Sequence, residues 1–399
     1  MTRDSALPYD AFAVATPGLE GIVASELDDL RIGYRDVLDG GVEFNASRRT
    51  LFEANLHLRT ASRVLIRLAR FRALTFAELE RRARRIPWEK VLARGDRVAL
   101  RVTCRKSRLY HSGAVAERIE RDLADRMGAV PVRTTANDEG AMDPGSEDAQ
   151  LIIIRVDHDQ CTVSADSSGA HLHQRGYRTS VTAAPMRETL AAALVLASGW
   201  DRGAPLLDPF CGSGTIPIEA SLIAAGIAPG RRRGFRFMHW PGHDVSEWQR
   251  VHSAALRRET PDHLPIIRGS DRSAAAIRAA VENAARAGVT SLVHFEKLDA
   301  LRVEPDAPAG WVVSNPPYGV RLGDTGEARR LMARFGDRLR QRFDGWQVGL
   351  LAPGQLERVL GVPLEVRFRT TNGGLRVQFL GGTVPARRAS LTTRDVNGP

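Results

Sequence analysis

Cysteine is scarce in this chain, and its placement excludes two common uses of the residue. The three cysteines, at positions 104, 161 and 211, are far apart, odd in number and never in a C-x-x-C spacing. That pattern argues against a disulfide framework and against a zinc site. No metal is therefore expected.

Long hydrophobic runs and a targeting segment are also lacking. No apolar stretch approaches the roughly 20 residues needed to span a bilayer, and the N-terminus lacks a basic region followed by an apolar run. We therefore expect no signal peptide, no membrane partner and a cytoplasmic location. An apolar content of 43% and a charged content of 26% are ordinary, and 399 residues leave room for two or three domains.

Negative charge is scarce in one segment, residues 59–108, although the whole chain has a net charge of only +10. The segment holds 14 arginines and 2 lysines against 3 glutamates and 1 aspartate, a net +12, so the other residues sum to −2. Such a local excess indicates a polyanionic partner, although a solvated helical face would explain part of it. The candidate contacts are Arg81, Arg82, Arg84, Arg85, Arg101, Arg105, Lys106 and, further along, Arg175.

The first half of the chain alternates strand and helix patterns. RVALRVTCRKS (97–107) has the period-two alternation of a strand, and HSGAVAERIERDLADRMG (111–128) predicts a helix with Ser112 as its N-cap. Repeated β-α-β patterns with a basic face indicate an RNA-binding module. The polar, glycine-containing stretch 166–185 predicts a connector between domains.

The stretch APLLDPFCGSGTIPIEASLIAAG (204–226) combines an apolar strand, a glycine turn and a helix. Asp208 ends the strand, and Gly212 and Gly214 would let the backbone approach a ligand at the helix N-terminus. The last glycine of the dinucleotide fingerprint is missing, which makes NAD a weaker candidate. Two more carboxylates follow predicted strands: Asp271, placed for ribose hydroxyls, and Asp299, placed for an adenine amino group.

The stretch WVVSNPPYG (311–319) predicts a short buried strand that stops at two prolines. Pro316 and Pro317 fix their own backbone and hold Asn315 extended. The Asn315 side-chain oxygen and a proline carbonyl can then accept two hydrogen bonds from one planar NH₂ group, while Tyr318 stacks on a flat substrate. The pattern predicts a site for an aromatic amine. A purely structural alternative is a Pro-Pro turn with Asn315 as an Asx-turn residue.

DPFCGSGTIPIEA (208–220) and NPPYG (315–319) together resemble the motifs of class I S-adenosylmethionine-dependent amino-methyltransferases. The basic region at 56–165 looks like a THUMP RNA-binding domain that follows a ferredoxin-like unit. The HLHQRGYR linker, the APMRETLAAAL helix and the Trp-containing insertion at 226–265 are similar to those of RNA guanine-N2 methyltransferases. That group includes RlmL-type enzymes acting on rRNA and TrmN-type enzymes acting on tRNA, and the resemblance covers residues 5–382.

The resemblance implies an α/β architecture with a Rossmann-like methyltransferase domain, whose seven-stranded mixed sheet has an antiparallel last strand. The closing hairpin LEVRFRTTNGGLRVQFLGG (364–382), with Asn372-Gly373 as its turn, fits that strand. The implied divisions are a ferredoxin-like unit (1–55), a THUMP domain (56–165), a linker (166–185), the methyltransferase domain (186–385) and a disordered tail (386–399).

The resemblance also implies S-adenosylmethionine as cofactor and rRNA or tRNA as partner. Carried over by position, the cofactor-binding residues are Asp208, Pro209, Cys211, Gly212, Gly214, Thr215, Asp271, Asp299 and Asn315. The implied catalytic residues are Asn315, Pro316, Pro317 and Tyr318.

Bifunctional enzymes of this type carry a second methyltransferase domain. The 399 residues here leave no room for one, so a single-activity form is expected. The sequence leaves the oligomeric state open, with a monomer favoured. Two alternatives stay open. One is an N6-adenine methyltransferase on DNA or RNA, which shares the NPPY motif. The other is an RNA-binding assembly factor that keeps the fold without activity.

Overall fold

The structure is a computed structural model that describes residues 9–132, 149–178, 186–260, 262, 264–317, 325–354 and 356–386. The chain divides into two compact units. The first comprises Met1–Thr179, Met186–Ala193 and Leu222–Asp262, and the second comprises Ser180–Pro185, Leu194–Ser221 and His263–Pro399. The chain passes between the two units several times, so the division does not fall at a single linker.

Strands and short helices alternate through both units. The strands are β1 (Tyr9–Val14), β2 (Tyr34–Leu38), β3 (Gly41–Ala46), β4 (Arg63–Arg72), β5 (Arg97–Arg105), β6 (Val130–Val132), β7 (Gln150–Asp157), β8 (Gln160–Asp166), β9 (Leu206–Asp208), β10 (Ile267–Asp271), β11 (His294–Lys297), β12 (Trp311–Ser314), β13 (Gln347–Ala352), β14 (Glu365–Asn372) and β15 (Leu375–Thr383). The α-helices are α1 (Glu20–Asp29), α2 (Arg48–His57), α3 (Phe76–Ala83), α4 (Ser112–Met127), α5 (Glu188–Ala197), α6 (Thr215–Ala224), α7 (Val245–Leu256), α8 (Ala274–Ala287), α9 (Thr325–Arg342) and α10 (Leu356–Leu360).

The first unit contains one eight-stranded sheet, in the order β2-β3-β1-β4-β8-β7-β5-β6. Its strands are antiparallel except that β5 runs parallel to both β6 and β7. Leu27, Leu51, Leu79 and Ile119, one from each of α1 to α4, are buried in the same core as alternate strand residues. The helices therefore cover one face of the sheet, as the period-two burial of the strands requires.

The segment after α6 completes the core of this first unit. The Trp240 Nε1–H donates to Gln150 Oε1 at 2.8 Å, and the Phe237 backbone N–H donates to the Ser167 carbonyl at 3.1 Å. Phe237 also stacks on Phe52 of α2, with ring centroids 4.4 Å apart. Residues 222–262, which the resemblance assigns to the methyltransferase range, therefore pack with the N-terminal sheet.

The second unit contains a seven-stranded sheet, in the order β11-β10-β9-β12-β13-β15-β14. The contacts among β9 to β13 are parallel, whereas β15 is antiparallel to both of its neighbours. The predicted mixed sheet with an antiparallel last strand is thus confirmed. The strand order reverses between β9 and β12, and in open α/β sheets ligands bind outside the carboxyl ends of the strands at such a switch point.

Two local predictions were wrong. The turn of the β14–β15 hairpin is Gly373-Gly374, with φ of +57° and +81°, while Asn372 ends β14 in register with Leu375. A two-residue turn of this kind needs positive φ at both central positions, which two glycines adopt without steric cost. At α4 the N-cap is His111, whose Nδ1 accepts from the Ala114 N–H, and Ser112 is the first helical residue.

Two other sequence features lie wholly or partly beyond the described part of the chain. Tyr318 is outside it, and so is the predicted tail apart from Ala386. Among the helices that are described, none is both long enough and apolar enough to cross a bilayer.

Candidate functional site

Asp208 ends β9 in the middle of the second sheet and is 1% exposed. Its Oδ1 accepts hydrogen bonds from the Phe210 N–H at 3.1 Å and from the Ser314 hydroxyl at the end of β12. Burial raises the pKa of Asp208 to about 7, while these two hydrogen bonds act in the opposite direction and the charge of Asp271 adds to the rise. The strand therefore ends in a carboxyl group that changes its charge near neutral pH.

The two glycines between β9 and α6 have different surroundings. A Cβ on Gly214, whose φ is +84°, would lie 2.8 Å from Phe295 Cζ and 2.9 Å from Ala280 Cβ. A Cβ on Gly212, whose φ is +53°, would have no atom of the described residues within 4 Å. Gly214 thus permits close packing within the protein, whereas Gly212 borders open space beside the start of α6.

The other predicted residues of this loop are buried. Pro209, Cys211 and Thr215 all lie in the protein interior, and burial raises the pKa of the Cys211 thiol well above its usual value. The Cys211 N–H donates to the Ser270 carbonyl at 2.9 Å, which ties the loop to β10. These side chains shape the loop from within, and Gly212 is the one half-exposed residue between positions 211 and 215.

The two carboxylates on the neighbouring strands lie at the same edge of the sheet. Asp271 ends β10, and its two oxygens accept from the Gly212 N–H at 3.1 Å and from the Ser273 N–H at 2.8 Å. Asp299 is exposed after β11, where its Oδ1 accepts from the Leu301 N–H at 2.8 Å. Since a carboxylate offers about four acceptor positions, both groups keep lone pairs for a ligand.

Asn315 follows β12 directly and carries the least satisfied polar atom of the site. The residue is half-buried, yet its Oδ1 is shielded from solvent and has no hydrogen-bond partner among the described residues. A buried acceptor without a donor costs about 1–3 kcal/mol. Pro316 and Pro317 follow it in irregular backbone. The arrangement presents a fixed acceptor at the switch point of the sheet, next to the Ser314–Asp208 contact.

The predicted arginines at the end of α3 form an exposed group in the first unit. Arg81, Arg82, Arg84 and Arg85 are all exposed, and no side chain among them forms an ion pair with another residue that the structure describes. Two of them occupy the last turn of α3, where positive charge also complements the helix dipole. Arg101 and Arg105 project from the exposed side of β5, and Lys106 follows at the strand end.

Arg175 does not belong to this surface, contrary to the sequence-based expectation. It is 6% exposed, and its guanidinium donates to the Leu172 carbonyl at 2.8 Å and to the Arg59 carbonyl at 2.6 Å. The stretch around it is similarly held, since the Ser167 hydroxyl donates to the Val64 carbonyl at 2.6 Å. Arg175 therefore fastens this stretch to the first unit.

Sequence reasoning missed Ser314 as a member of the site. The only signal was a hydroxyl at the end of an otherwise apolar four-residue strand, and its partner lies 106 positions earlier in the chain. Within the described residues no group of three or more His, Cys, Asp or Glu side chains is placed to hold a metal ion.

The strand order and the polar carboxyl edge of the second sheet define the class I methyltransferase fold. A solved structure of a putative methyltransferase complexed with SAH is 29% identical, covers 96% of this chain and all of its own, and superposes with a TM-score of 0.83. Another structure, titled a predicted N6-adenine-specific DNA methylase from Listeria monocytogenes, is 32% identical, covers 93% of this chain and 96% of its own, and superposes with a TM-score of 0.80.

Family models match both parts of the chain. Residues 175–360 match the RMKL-like methyltransferase domain, and residues 10–65 match the RlmL ferredoxin-like domain. The "Ribosomal RNA large subunit methyltransferase K/L" of Syntrophotalea carbinolica is 36% identical over 96% of this chain and 54% of its own length. A "Putative RNA methyltransferase" of Synechocystis sp. is 33% identical over 94% of this chain and 96% of its own length. The chain belongs to the RlmK/L-like methyltransferase family, and it spans about half the length of the K/L relatives.

Proposed function

We propose that this chain is an S-adenosylmethionine-dependent RNA methyltransferase that acts on the exocyclic N2 amine of a guanine in rRNA or tRNA. The observation that carries the proposal is the position of Asn315 Oδ1, which is shielded from solvent at the switch point of a class I methyltransferase sheet and has no hydrogen-bond partner among the described residues. An exocyclic amine is a donor that would satisfy it. The rRNA and RNA methyltransferase names of the relatives support an RNA substrate.

The carboxyl edge of the second sheet fits the proposed cofactor. Open space lies beside Gly212 at the start of α6, and the Asp271 and Asp299 carboxylates retain acceptor positions for ribose hydroxyls and an adenine amino group. A related structure is complexed with SAH, the demethylated product of this cofactor. When bound, the cofactor supplies a methyl group that is already activated on a sulfonium.

The chain's own residues then have one main task, which is to hold and orient the amine. Asn315 Oδ1 and the Pro316 carbonyl would each accept a hydrogen bond from the NH₂ group, favouring a pyramidal nitrogen whose lone pair is less delocalised into the ring. Pro316 and Pro317 fix the backbone that carries these acceptors. Alignment of this kind is worth several kcal/mol of the barrier without a strong base. The amine proton can leave after the new N–C bond has formed.

The target base must leave its stack before it can reach this site, at a cost of a few kcal/mol. Stacking on Tyr318 and phosphate contacts by the exposed arginines of the first unit would offset that cost. We also propose that residues 56–165 act as a THUMP RNA-binding domain. A cytoplasmic location follows from an RNA substrate of this kind.

The chemistry of the amine site accommodates a second substrate. An adenine N6 amine presents the same two N–H donors, and the similar Listeria structure is that of a predicted N6-adenine-specific DNA methylase. Guanine is preferred because the curated relatives are named as RNA enzymes and residues 59–108 carry a net charge of +12.

The test is methyl transfer from labelled S-adenosylmethionine to ribosomal RNA and, separately, to tRNA, followed by nucleoside mass analysis. N2-methylguanosine in one pool is the expected product. N6-methyladenosine would overturn the base assignment, and absence of any methylated nucleoside despite cofactor binding would overturn the enzymatic proposal. The N315A variant should form no product above a small residual level.

A further inference from the structure

Tyr110 is the most exposed large apolar side chain in the described part of the first unit. It is 80% exposed, compared with 37% for Tyr34 on β2. Neither the fold nor the proposed catalytic site requires this ring. An exposed aromatic ring of this kind offers a face on which a nucleic-acid base can stack.

The backbone on both sides of Tyr110 is anchored. Leu109 before it is 3% exposed and belongs to the core, and the Arg108 N–H donates to Asp159 Oδ1 at 2.7 Å. His111 after it caps α4 by accepting from the Ala114 N–H at 3.1 Å. The ring is therefore held outward on a fixed loop, so little conformational entropy is lost when a ligand stacks on it.

Three cationic residues lie close to Tyr110 in the chain. Arg105, Lys106 and Arg108 are exposed within five positions of Tyr110, and none of them forms an ion pair with another described residue. The two aspartates of the adjoining β7–β8 turn are already engaged. Asp157 is paired with Arg155 and His158, and Asp159 accepts from the loop backbone. The three cationic side chains are therefore available to bind a polyanion.

We propose that residues 105–111 form a binding site for an unpaired nucleotide of the RNA substrate, with its base stacked on Tyr110 and the flanking phosphates held by Arg105, Lys106 and Arg108. This inference rests on the proposed function for the identity of the polyanion. A fixed aromatic ring flanked by cations is the usual platform for single-stranded nucleic acid. Bases inside a duplex are already stacked on each other and cannot use it.

The test compares the affinities of variants for two fluorescent probes, an oligouridylate of about 12 nucleotides and an RNA duplex of the same length. Tyr110→Ala should weaken binding of the oligouridylate about tenfold, while the duplex affinity changes little. Tyr110→Phe keeps the ring and should bind like the wild type. Tyr34→Ala, which removes another exposed tyrosine of the same unit, is the matched control. Lys106→Ala and Arg108→Ala should each reduce the salt slope by about 0.7.

The site is refuted if the wild type does not bind the oligouridylate, or if Tyr110→Ala binds it like the wild type. An equal loss of affinity for the oligouridylate and the duplex in Tyr110→Ala would refute base stacking. The proposed function is tested separately by methyl transfer. If Tyr110→Ala weakens oligouridylate binding as expected but the wild type methylates no RNA pool, only the enzyme proposal is overturned. If the wild type forms product but Tyr110→Ala binds the oligouridylate as tightly as the wild type, only this site is overturned.

Discussion

The Ser314 hydroxyl donates a hydrogen bond to Asp208 Oδ1 across two adjacent parallel strands of the second sheet. Asp208 precedes the glycine loop that borders the proposed cofactor space, and Ser314 precedes the proposed amine-binding Asn315. One buried hydrogen bond therefore joins the ends of the two segments that the reaction must align. Because both partners are fully buried, the contact is shielded from competition with water.

Asp208 should make the stability of the protein depend on pH. Burial raises its folded-state pKa from 3.8 to about 7, so between these values the folded protein keeps a proton that the unfolded chain has lost. This contribution to stability is present below about pH 4 and is lost as pH rises through 7. Asp208→Asn should therefore become progressively more stable than the wild type over this range, by a few kcal/mol in total.

Urea unfolding of both proteins at several pH values measures this difference. Ser314→Ala should extend the pH-dependent range upward, because its hydrogen bond lowers the pKa of Asp208. A constant difference in stability between wild type and Asp208→Asn at every pH would contradict the assignment of Asp208 as the titrating group.

Asn315→Ala should lower kcat by about 10²–10³-fold, because it removes one of two preorganised acceptors aimed at the reacting amine. Its effect on SAH affinity, measured by calorimetry, should be much smaller than its effect on kcat. Asn45→Ala changes an exposed asparagine on β3 and serves as the control. A variant whose entire defect is in cofactor affinity would show that Asn315 binds the cofactor instead of the amine.

The same substitution should affect mainly folding stability at Gly214 and mainly cofactor binding at Gly212. Gly214→Ala places a methyl group 2.8 Å from the Phe295 ring at a φ of +84°, and we expect a loss of a few kcal/mol of folding free energy. The methyl group of Gly212→Ala meets no atom in the part of the chain that the structure describes, so its cost should be about 1–2 kcal/mol for the left-handed backbone. Its main defect should be weaker SAH binding.

Urea unfolding and calorimetric titration with SAH separate the two effects. Normal cofactor affinity in a stably folded Gly212→Ala variant would argue that the open space beside this glycine is not used by the ligand.

Gln150 should be needed to hold residues 222–262 on the first unit. Its side chain is fully buried, accepts from Trp240 Nε1 at 2.8 Å and donates to the Asp166 carbonyl at 2.9 Å. Gln150→Leu leaves both of these groups without their partner, so a loss of about 2–4 kcal/mol is expected in urea unfolding. Gln160→Leu, on the exposed end of β8, is the matched control. Equal stability of the two variants would show that the buried contact contributes little.

Local motifs carried the correct predictions about this chain. Two motifs are each contained in fewer than 25 consecutive residues. One is the strand, glycine turn and helix around Asp208, and the other is the strand that stops at Pro316. These motifs could be predicted because hydrophobic period and turn chemistry act over short distances. The mixed seven-stranded sheet was predicted from the family resemblance that the motifs carry. The positive excess around Arg81 and Arg101 was likewise visible as composition.

Pairing between distant residues was not visible in the same way. Arg175 is of a residue type typical of RNA contacts, yet its side chain is buried and donates to two backbone carbonyls. The segment that contains Trp240 packs on the first unit. Whether a polar side chain faces solvent or is buried depends on partners that the tertiary fold brings near, and no local pattern encodes them.

The sequence by itself determined the family, the order of strands and helices, and the residue types at the carboxyl edge of the sheet. The tertiary structure decided which side chains are shielded and which are exposed. It set the contact between Ser314 and Asp208, the exposure of the Tyr110 ring, and the shielded Asn315 oxygen that has no partner among the described residues. The physical reason is that burial and hydrogen-bond satisfaction are properties of the folded environment, set by neighbours that can lie more than a hundred positions away.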